Sequence, residues 1–306
     1  MFSTISPAQA NELTPALQLV FGAGAAKEHI ERFQEALSSG DHDREGLFVA
    51  RSEDGRMCGA MLAQPLRGGL GVVWPPKAET PVQEDALVES ASDWLRGRGV
   101  KVCQAFATDE ELPTLAPLVR HGFQRITEIV FMRRPLAPDE PLPEPKHPII
   151  FLPESPPFSD QFRTALIATH QRSMDCPELT GDRTADEILA GFSDWGPGNE
   201  WYLAIDRDVV LGVVLFAAGT DAETLELSYL GVVPLFRQCG YGGELVDFAI
   251  AAATLSKVKH LLVTVDARNE PGLRLYGKRG FTEIARHTVF LAHWPVLDLT
   301  TDTAQY

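Results

Sequence analysis

Cysteine and positive charge are both scarce in this chain. The four cysteines, Cys58, Cys103, Cys176 and Cys239, lie far apart with no Cys-x-x-Cys pair. That spacing argues against a disulfide framework or a zinc cage and suits reduced thiols. Lys and Arg number 27 against 42 Asp and Glu, a formal net charge of −15. The deficit runs through both halves: residues 1–150 carry 15 basic and 21 acidic side chains, and residues 151–306 carry 12 and 21. With no basic patch, neither nucleic-acid phosphates nor a membrane surface is an expected partner. No apolar run approaches the roughly 20 residues that span a bilayer. Residues 1–10 hold no Lys or Arg and no apolar core, so no secretory signal and a cytoplasmic location are expected.

What is present is ordinary globular composition, 44% hydrophobic and 23% charged over 306 residues, a length that suits about two domains. Proline marks the seam. Residues 135–157 contain nine of the 22 prolines, and proline fixes φ and removes a backbone donor, so the stretch reads as a stiff extended connector. The expected division is a first domain at 1–136, a linker at 137–147 and a second domain at 148–306.

The two halves repeat each other. Leu87-Val88 and Leu245-Val246 lie 158 residues apart, as do Pro113 and Pro271, Leu115 and Leu273, and Gly122-Phe123 and Gly280-Phe281. One shared offset across several elements points to duplication of one domain. Hydrophobic periodicity predicts helices near 7–20, 25–38, 83–97 and 110–121 in the first half, with strands near 46–52, 57–64, 69–74, 101–107 and 124–133. Glu53-Asp54-Gly55-Arg56 is a hairpin turn signal. The second half predicts strands near 148–152, 200–206, 209–218, 223–233, 259–266 and 282–292, and helices near 159–172, 184–192, 242–256 and 270–279. Antiparallel hairpins followed by β-α-β-α-β imply an α/β fold, a twisted mixed sheet flanked by helices in each half.

The most informative segment runs Leu230-Gly231-Val232-Val233-Pro234-Leu235-Phe236-Arg237-Gln238-Cys239-Gly240-Tyr241-Gly242-Gly243. It reads as a strand, a tight turn and a helix start. Gly240 and Gly242 remove side chains where the backbone turns, so successive N–H groups can converge, and the helix N-terminus adds partial positive charge. The result is a cradle for a phosphate or diphosphate, to which Arg237 can add a full charge. It is not a Walker loop, since no Gly-Lys-Ser/Thr follows, and it lacks the third glycine of a dinucleotide fingerprint.

The apolar strand, the Arg237-x-x-Gly240-x-Gly242 turn and the following amphipathic helix resemble the acyl-CoA-binding motif of the GCN5-related N-acetyltransferases, the GNAT superfamily. Asn269, Leu275-Tyr276 and Gly280-Phe281 follow in order, similar to the family's second signature. The resemblance covers residues 148–306. It implies acetyl-CoA as co-substrate, no metal, and a cleft between two splayed parallel strands. Backbone groups of Leu230 and Val232 would meet the pantetheine arm. The amides of Gln238, Cys239, Gly240, Tyr241, Gly242 and Gly243 would hold the diphosphate, and Asn269 would touch the cofactor arm. Pro271 stands where the family has a small residue, and Asn269 also reads as a helix N-cap.

The resemblance further implies Tyr276 as the general acid for the departing thiolate, since its hydroxyl has an ordinary pKa of about 10. Glu226 stands where several members carry a general base; strand alternation puts Glu226, Ser228 and Leu230 on one face. Cys239 occupies a variable slot of the loop and reads as incidental. His260, His287 and His293 lack metal-ligand spacing. Asp175, Glu178, Asp182 and Asp186 lie on the expected acceptor side, where they either suit a cationic amine or form a solvated helix–loop surface.

At the 158-residue offset Tyr276 corresponds to Leu118, Asn269 to Glu111, and Arg237, Gly240 and Gly242 to Glu79, Val82 and Glu84. Pro75-Pro76-Lys77-Ala78-Glu79-Thr80-Pro81 replaces the cradle, removing donors and adding repulsion to phosphate. The first half reads as a degenerate copy, a tandem layout that resembles the mycothiol synthase family, although layout does not carry substrate identity. The expectation is an acetyl-CoA-dependent N-acetyltransferase, monomer or homodimer, acting directly on a small-molecule or peptide amine. The alternative is a non-catalytic acyl-CoA sensor or interaction module, which would keep the cradle without needing Glu226 or Tyr276.

Overall fold

Both faces of the sheet are apolar in each half, and helices cover both. The computed structural model describes residues 4–22, 27–40, 42–137, 145–192, 199–219 and 221–294. Strands β1 (Thr4–Pro7), β2 (Leu47–Arg51), β3 (Met57–Leu66), β4 (Leu70–Val73), β5 (Lys77–Ala78), β6 (Val102–Ala107), β7 (Gln124–Pro135), β8 (Ile149–Glu154), β9 (Glu200–Asp206), β10 (Val209–Ala218), β11 (Thr224–Val232), β12 (His260–Asp266) and β13 (Thr282–His293) alternate with helices. The helices are α1 (Leu13–Phe21), α2 (Lys27–Ser39), α3 (Pro81–Gly97), α4 (Ala116–Arg120), α5 (Asp160–His170), α6 (Ala185–Phe192), α7 (Tyr241–Leu255) and α8 (Glu270–Gly277).

Two units form. The first holds residues 1–126, 181–183 and 288–306, and the second holds 127–180 and 184–287. In the first the strand order is β1-β2-β3-β4-β6, with residues Thr288–His293 of β13 antiparallel to β6. In the second, residues Ile129–Pro135 of β7 lie antiparallel to β12, followed by β11, β10, β9 and β8. Each unit thus takes a strand from the other half of the sequence. This differs from a cut at 137–147, whose residues 138–144 lie outside the described ones. Strands 124–135 and 282–293 occupy the same place in the repeat, so an offset between halves does not reveal the exchange.

Side-chain alternation explains the layering. In β2, Leu47 and Val49 pack under α1 and α2, while Phe48 and Ala50 pack under α3. In β9, Trp201 and Leu203 face α5, while Tyr202 and Ala204 face α7. Fully burying a Val, Leu or Phe side chain in these layers contributes about 1.5–3 kcal/mol. The repeat is visible in the turns as well. Gly122 and Gly280 have φ of +91° and +80°, and each precedes a buried phenylalanine, Phe123 or Phe281.

Three local expectations change. Residues 4–7 extend as a strand along β2, so the first helix begins at Leu13 rather than near 7. The helix expected at 110–121 is a 3₁₀ turn at Leu112–Leu115 followed by α4, because Pro113 and Pro117 lack the donors of a continuous ladder. Residues 77–78, outside the expected strands, form the short β5 against β3.

The first unit's counterpart of the glycine loop has its donors engaged. Thr80 caps α3 in a capping box with Gln83, Pro81 occupies the first turn, and the Glu79 N–H donates to the Cys58 carbonyl at 3.0 Å. The Glu79 carboxylate pairs with Arg56 at 2.6 Å.

Candidate active site

Strands β11 and β12 run parallel only from Thr224↔His260 to Leu227↔Val263. Beyond that point β11 continues along β10 to Val232↔Gly212, and β12 continues along β7 to Asp266↔Ile129. Between the diverging strands lies a cavity of about 400 Å³, lined by residues 229–232, by Arg237, Gln238 and Gly242, by Asn269, Tyr276 and part of α8, and by Thr169 and residues 172–175. Of the predicted site residues, Leu230, Val232, Arg237, Gln238, Gly242, Asn269 and Tyr276 line it. Cys239, Gly240, Tyr241 and Gly243 belong to the adjoining turn, and Glu226 lies outside the lining.

A bulge sets the faces of β11. Leu215 pairs with Tyr229 and Phe216 with Leu227, which leaves Ser228 as the extra residue, its hydroxyl donating to the Leu215 carbonyl at 2.9 Å. An inserted residue reverses alternation. Leu225, Leu227, Leu230 and Val232 therefore all pack toward α7, while Tyr229 packs toward α5. The expectation that Glu226 shares a face with Leu230 is corrected: it lies on the α5 side with Tyr229 and Gly231. Burial pushes the Glu226 carboxyl above its ordinary pKa.

The glycine turn takes its shape from two left-handed residues, Gln238 at φ +62° and Gly240 at φ +91°. Gly240 is the N-cap of α7 and no side chain caps that helix, which leaves first-turn N–H groups for an anion. The Gly243 N–H is an exception, donating to the Gly240 carbonyl at 2.9 Å. Tyr241 packs on His147 with ring centroids 4.9 Å apart, and the exposed Cys239 directs its thiol to the Arg237 carbonyl at 3.5 Å.

Arg237 differs from its expected role as a free charge for phosphate. Its Nε donates to the Val232 carbonyl at 3.0 Å, Nη1 to the Arg172 carbonyl at 3.0 Å and Nη2 to the Thr169 carbonyl at 2.9 Å. Asn269 is indeed the N-cap of α8, accepting from the Gly272 N–H at 3.0 Å. Tyr276 is 7% exposed and packs edge-on against Phe281. Burial, then the negative charge of Asp175, raises its hydroxyl well above the ordinary tyrosine value. Tyr229, whose hydroxyl lies 2.9 Å from Thr169 Oγ1, is pushed up to about 12, chiefly by burial.

Of the four carboxylates expected on the acceptor side, only Asp175 lines the cavity. Glu178 forms a bidentate pair with Arg268 at 2.7 and 2.8 Å. Asp186 pairs with Arg163, and Asp182 falls in the first unit. Burial pushes the Asp175 carboxyl up, although the Asp266 N–H donates to it at 2.7 Å. His287 stacks edge-on against Phe131; among the described residues no three His, Cys, Asp or Glu converge as a metal site. Sequence reasoning missed Asp266, whose side chain is inaccessible, and Thr169. A charged residue ending an otherwise apolar strand was the available signal for Asp266.

Residues 166–281 match the model of the Acetyltransferase (GNAT) family. The chain is 29% identical over 194 residues to a mycothiol acetyltransferase of Geodermatophilus obscurus, covering 58% of this chain and 59% of that one, so it spans about three fifths of that relative's length. It is 29% identical over 273 residues to a mycothiol acetyltransferase of Actinosynnema mirum, covering 87% and 84%. Among solved structures, a GCN5-related N-acetyltransferase from Sphaerobacter thermophilus superposes with a TM-score of 0.60 at 18% identity, covering 97% and 98%. A tandem GNAT protein from the clavulanic acid biosynthesis pathway superposes with 0.59 at 14% identity, covering 96% and 99%.

Proposed function

Residues 166–281 match the Acetyltransferase (GNAT) family and the chain has the fold of tandem GNAT proteins; we propose that it is a GNAT acetyltransferase that transfers an acetyl group from acetyl-CoA directly to a primary amine. The observation that carries this reading is the parting of β11 and β12 beside a helix start that no side chain caps, with the Tyr276 ring in the same cavity. Leu230 and Val232 lie on the edge of β11 that has left β12, which supports a main-chain contact to an extended pantetheine arm. The first-turn N–H groups of α7 suit the diphosphate. Polarisation of the thioester carbonyl by strand N–H groups would stabilise charge that develops only as the amine attacks.

Glu226 takes the proton that an ammonium group must lose to become a free amine, directly or through water. Its raised pKa keeps it basic enough for that step at neutral pH. The amine nitrogen then bonds to the acetyl carbon, the carbon–sulfur bond breaks, and the Tyr276 hydroxyl protonates the departing thiolate. Solvent returns a proton to Tyr276, and the nitrogen gives its second proton to solvent as the amide forms. The acceptor is a small-molecule or peptide amine. The mycothiol acetyltransferases among the relatives make their own substrates the first members of an amine panel.

Calorimetry of the full chain with coenzyme A tests the cradle, and release of coenzyme A from acetyl-CoA across the amine panel tests the reaction. Ligand at about 100 times its Kd adds about 2.7 kcal/mol to stability. Binding together with amine-dependent release, lost in Tyr276→Phe, is the expected result. Tight binding without turnover on any amine would leave an acyl-CoA sensor, and no heat of association would overturn both readings.

A further inference from the structure

Helix α5 ends where the cavity begins, and its last carbonyls have no partner within the helix. Two carbonyls at this end, those of Thr169 and Arg172, receive the Nη2 and Nη1 groups of Arg237, while Nε is spent on the Val232 carbonyl at the end of β11. A cation at a helix C-terminus is electrostatically favoured as well. The packing beneath is equally close. A Cβ on Gly231 would meet Thr169 Cβ at 2.5 Å, so the end of α5 rests directly on the backbone of β11. Arg172 has φ of +54°, a left-handed conformation that the clamp on its carbonyl helps to hold. Residues 172–175 then run along the cavity and are fastened at the far side, where the Cys176 N–H donates to Asp266 Oδ2 at 3.0 Å.

We propose that Arg237 is a positioning residue for the acceptor wall: from within the glycine turn it fastens the end of α5, and so residues 169–175, to β11. It does not bind phosphate. Each of its three nitrogens donates to a carbonyl, and the planar guanidinium is the side chain whose fixed fork can serve three directions at once. The clamp itself is independent of the acetyltransferase reading; the name acceptor wall rests on it.

The test compares wild type, Arg237→Ala and Arg237→Lys in the full chain. Calorimetry uses coenzyme A and pantetheine, which lacks the diphosphate, and amide hydrogen exchange follows residues 166–175. A clamp predicts exchange at 166–175 faster by about tenfold or more in both variants, because lysine keeps the charge but loses the fork. Coenzyme A affinity should then change less than about threefold, and by the same factor as pantetheine affinity. With the best amine of the panel, KM for the amine should rise about tenfold while KM for acetyl-CoA stays within threefold. A phosphate ligand predicts the reverse: unchanged exchange, a loss of coenzyme A affinity of tenfold or more, no loss for pantetheine, and rescue by lysine. That outcome would overturn the proposal. Should Arg237→Ala fail to fold, Arg237→Lys decides alone. A wild type that turns over no amine refutes the acetyltransferase reading, and the exchange and calorimetry arms still judge the clamp.

Discussion

The carboxylate of Asp175 accepts the backbone N–H of Asp266 at 2.7 Å, and the carboxylate of Asp266 accepts the backbone N–H of Cys176 at 3.0 Å. This reciprocal pair joins the loop after α5 to the end of β12, and the pKa values of the two acids are shifted in opposite directions. Burial raises the Asp266 carboxyl, but Arg268, the Thr127 hydroxyl and two N–H groups outweigh it, and the net shift is downward. A depressed folded pKa gives stability that is present above the unfolded value of about 3.9 and lost as pH falls through the folded one. The Asp175 carboxyl is raised, chiefly by burial, so its contribution is fully present below the unfolded value and lost as pH rises through the folded one. Asp266→Ala should cost about 1–3 kcal/mol at pH 7, since it strands the Cys176 N–H and the Thr127 hydroxyl. Asp175→Asn keeps an acceptor for the Asp266 N–H without the buried charge, and should leave stability at pH 7 unchanged or higher. Chemical denaturation from pH 4 to 8 measures both; a large loss in Asp175→Asn would contradict the account.

The same reasoning sets the expected pH–rate profile. Glu226 acts as a base only when ionised, and burial raises its pKa. Turnover should therefore rise with pH along a limb whose midpoint lies above the ordinary glutamate value of about 4.3. Glu226→Gln should remove that limb and lower turnover by about 10²–10⁴-fold. Tyr276 is held protonated by burial, so it should add no alkaline limb below about pH 10. Tyr276→Phe should slow turnover by about 10²-fold or more with coenzyme A affinity intact. A profile that is flat in wild type and in Glu226→Gln alike would remove Glu226 from the mechanism.

Much of this architecture is legible in the residue pattern, and the exceptions share a cause. Periodicity locates the strands and helices of the second half to within a few residues, and Gly122 and Gly280, both left-handed, mark the same helix end in each repeat. The glycine turn is readable because the absence of a side chain has a local consequence. The face of Glu226 is not, because the bulge at Ser228 adds one residue without a compositional mark. Nor is the clamp on Arg237: its partners are carbonyls up to 68 residues away in sequence, and a carbonyl belongs to every residue. The strand exchange between units hides for a related reason, since either copy of the repeated strand satisfies the same pattern.

Gly231 tests how closely α5 must lie on β11. A Cβ there would stand 2.5 Å from Thr169 Cβ and 2.6 Å from its Oγ1. Shortening the Thr169 side chain cannot relieve a clash with its Cβ, so the helix end must move. Gly231→Ala should destabilise the chain by about 1–3 kcal/mol, lowering Tm by roughly 2–4 °C per kcal/mol. Adding Thr169→Ala should recover little of it. Full recovery in the double variant would mean that the helix end is less firmly seated than the hydrogen bonds of Arg237 indicate.

Gly240 and Gly242 look alike in the motif but are needed for different reasons, and substitution should separate them. Gly240 has φ of +91° and a Cβ there meets nothing within 4 Å, so the cost of Gly240→Ala is conformational, about 1–2 kcal/mol. Gly242 lies in the first turn of α7, and its Cβ would meet Leu275 at an ordinary 3.5 Å. Gly242→Ala should therefore fit and gain up to about 1 kcal/mol from helix propensity. Gly242→Leu adds bulk at a position that lines the cavity, and should abolish coenzyme A binding while the fold survives. Thermal denaturation and calorimetry together resolve the pair. Gly242→Leu binding coenzyme A as wild type does would show that the diphosphate is held elsewhere, because a cradle built from main-chain donors cannot tolerate a large side chain at its centre.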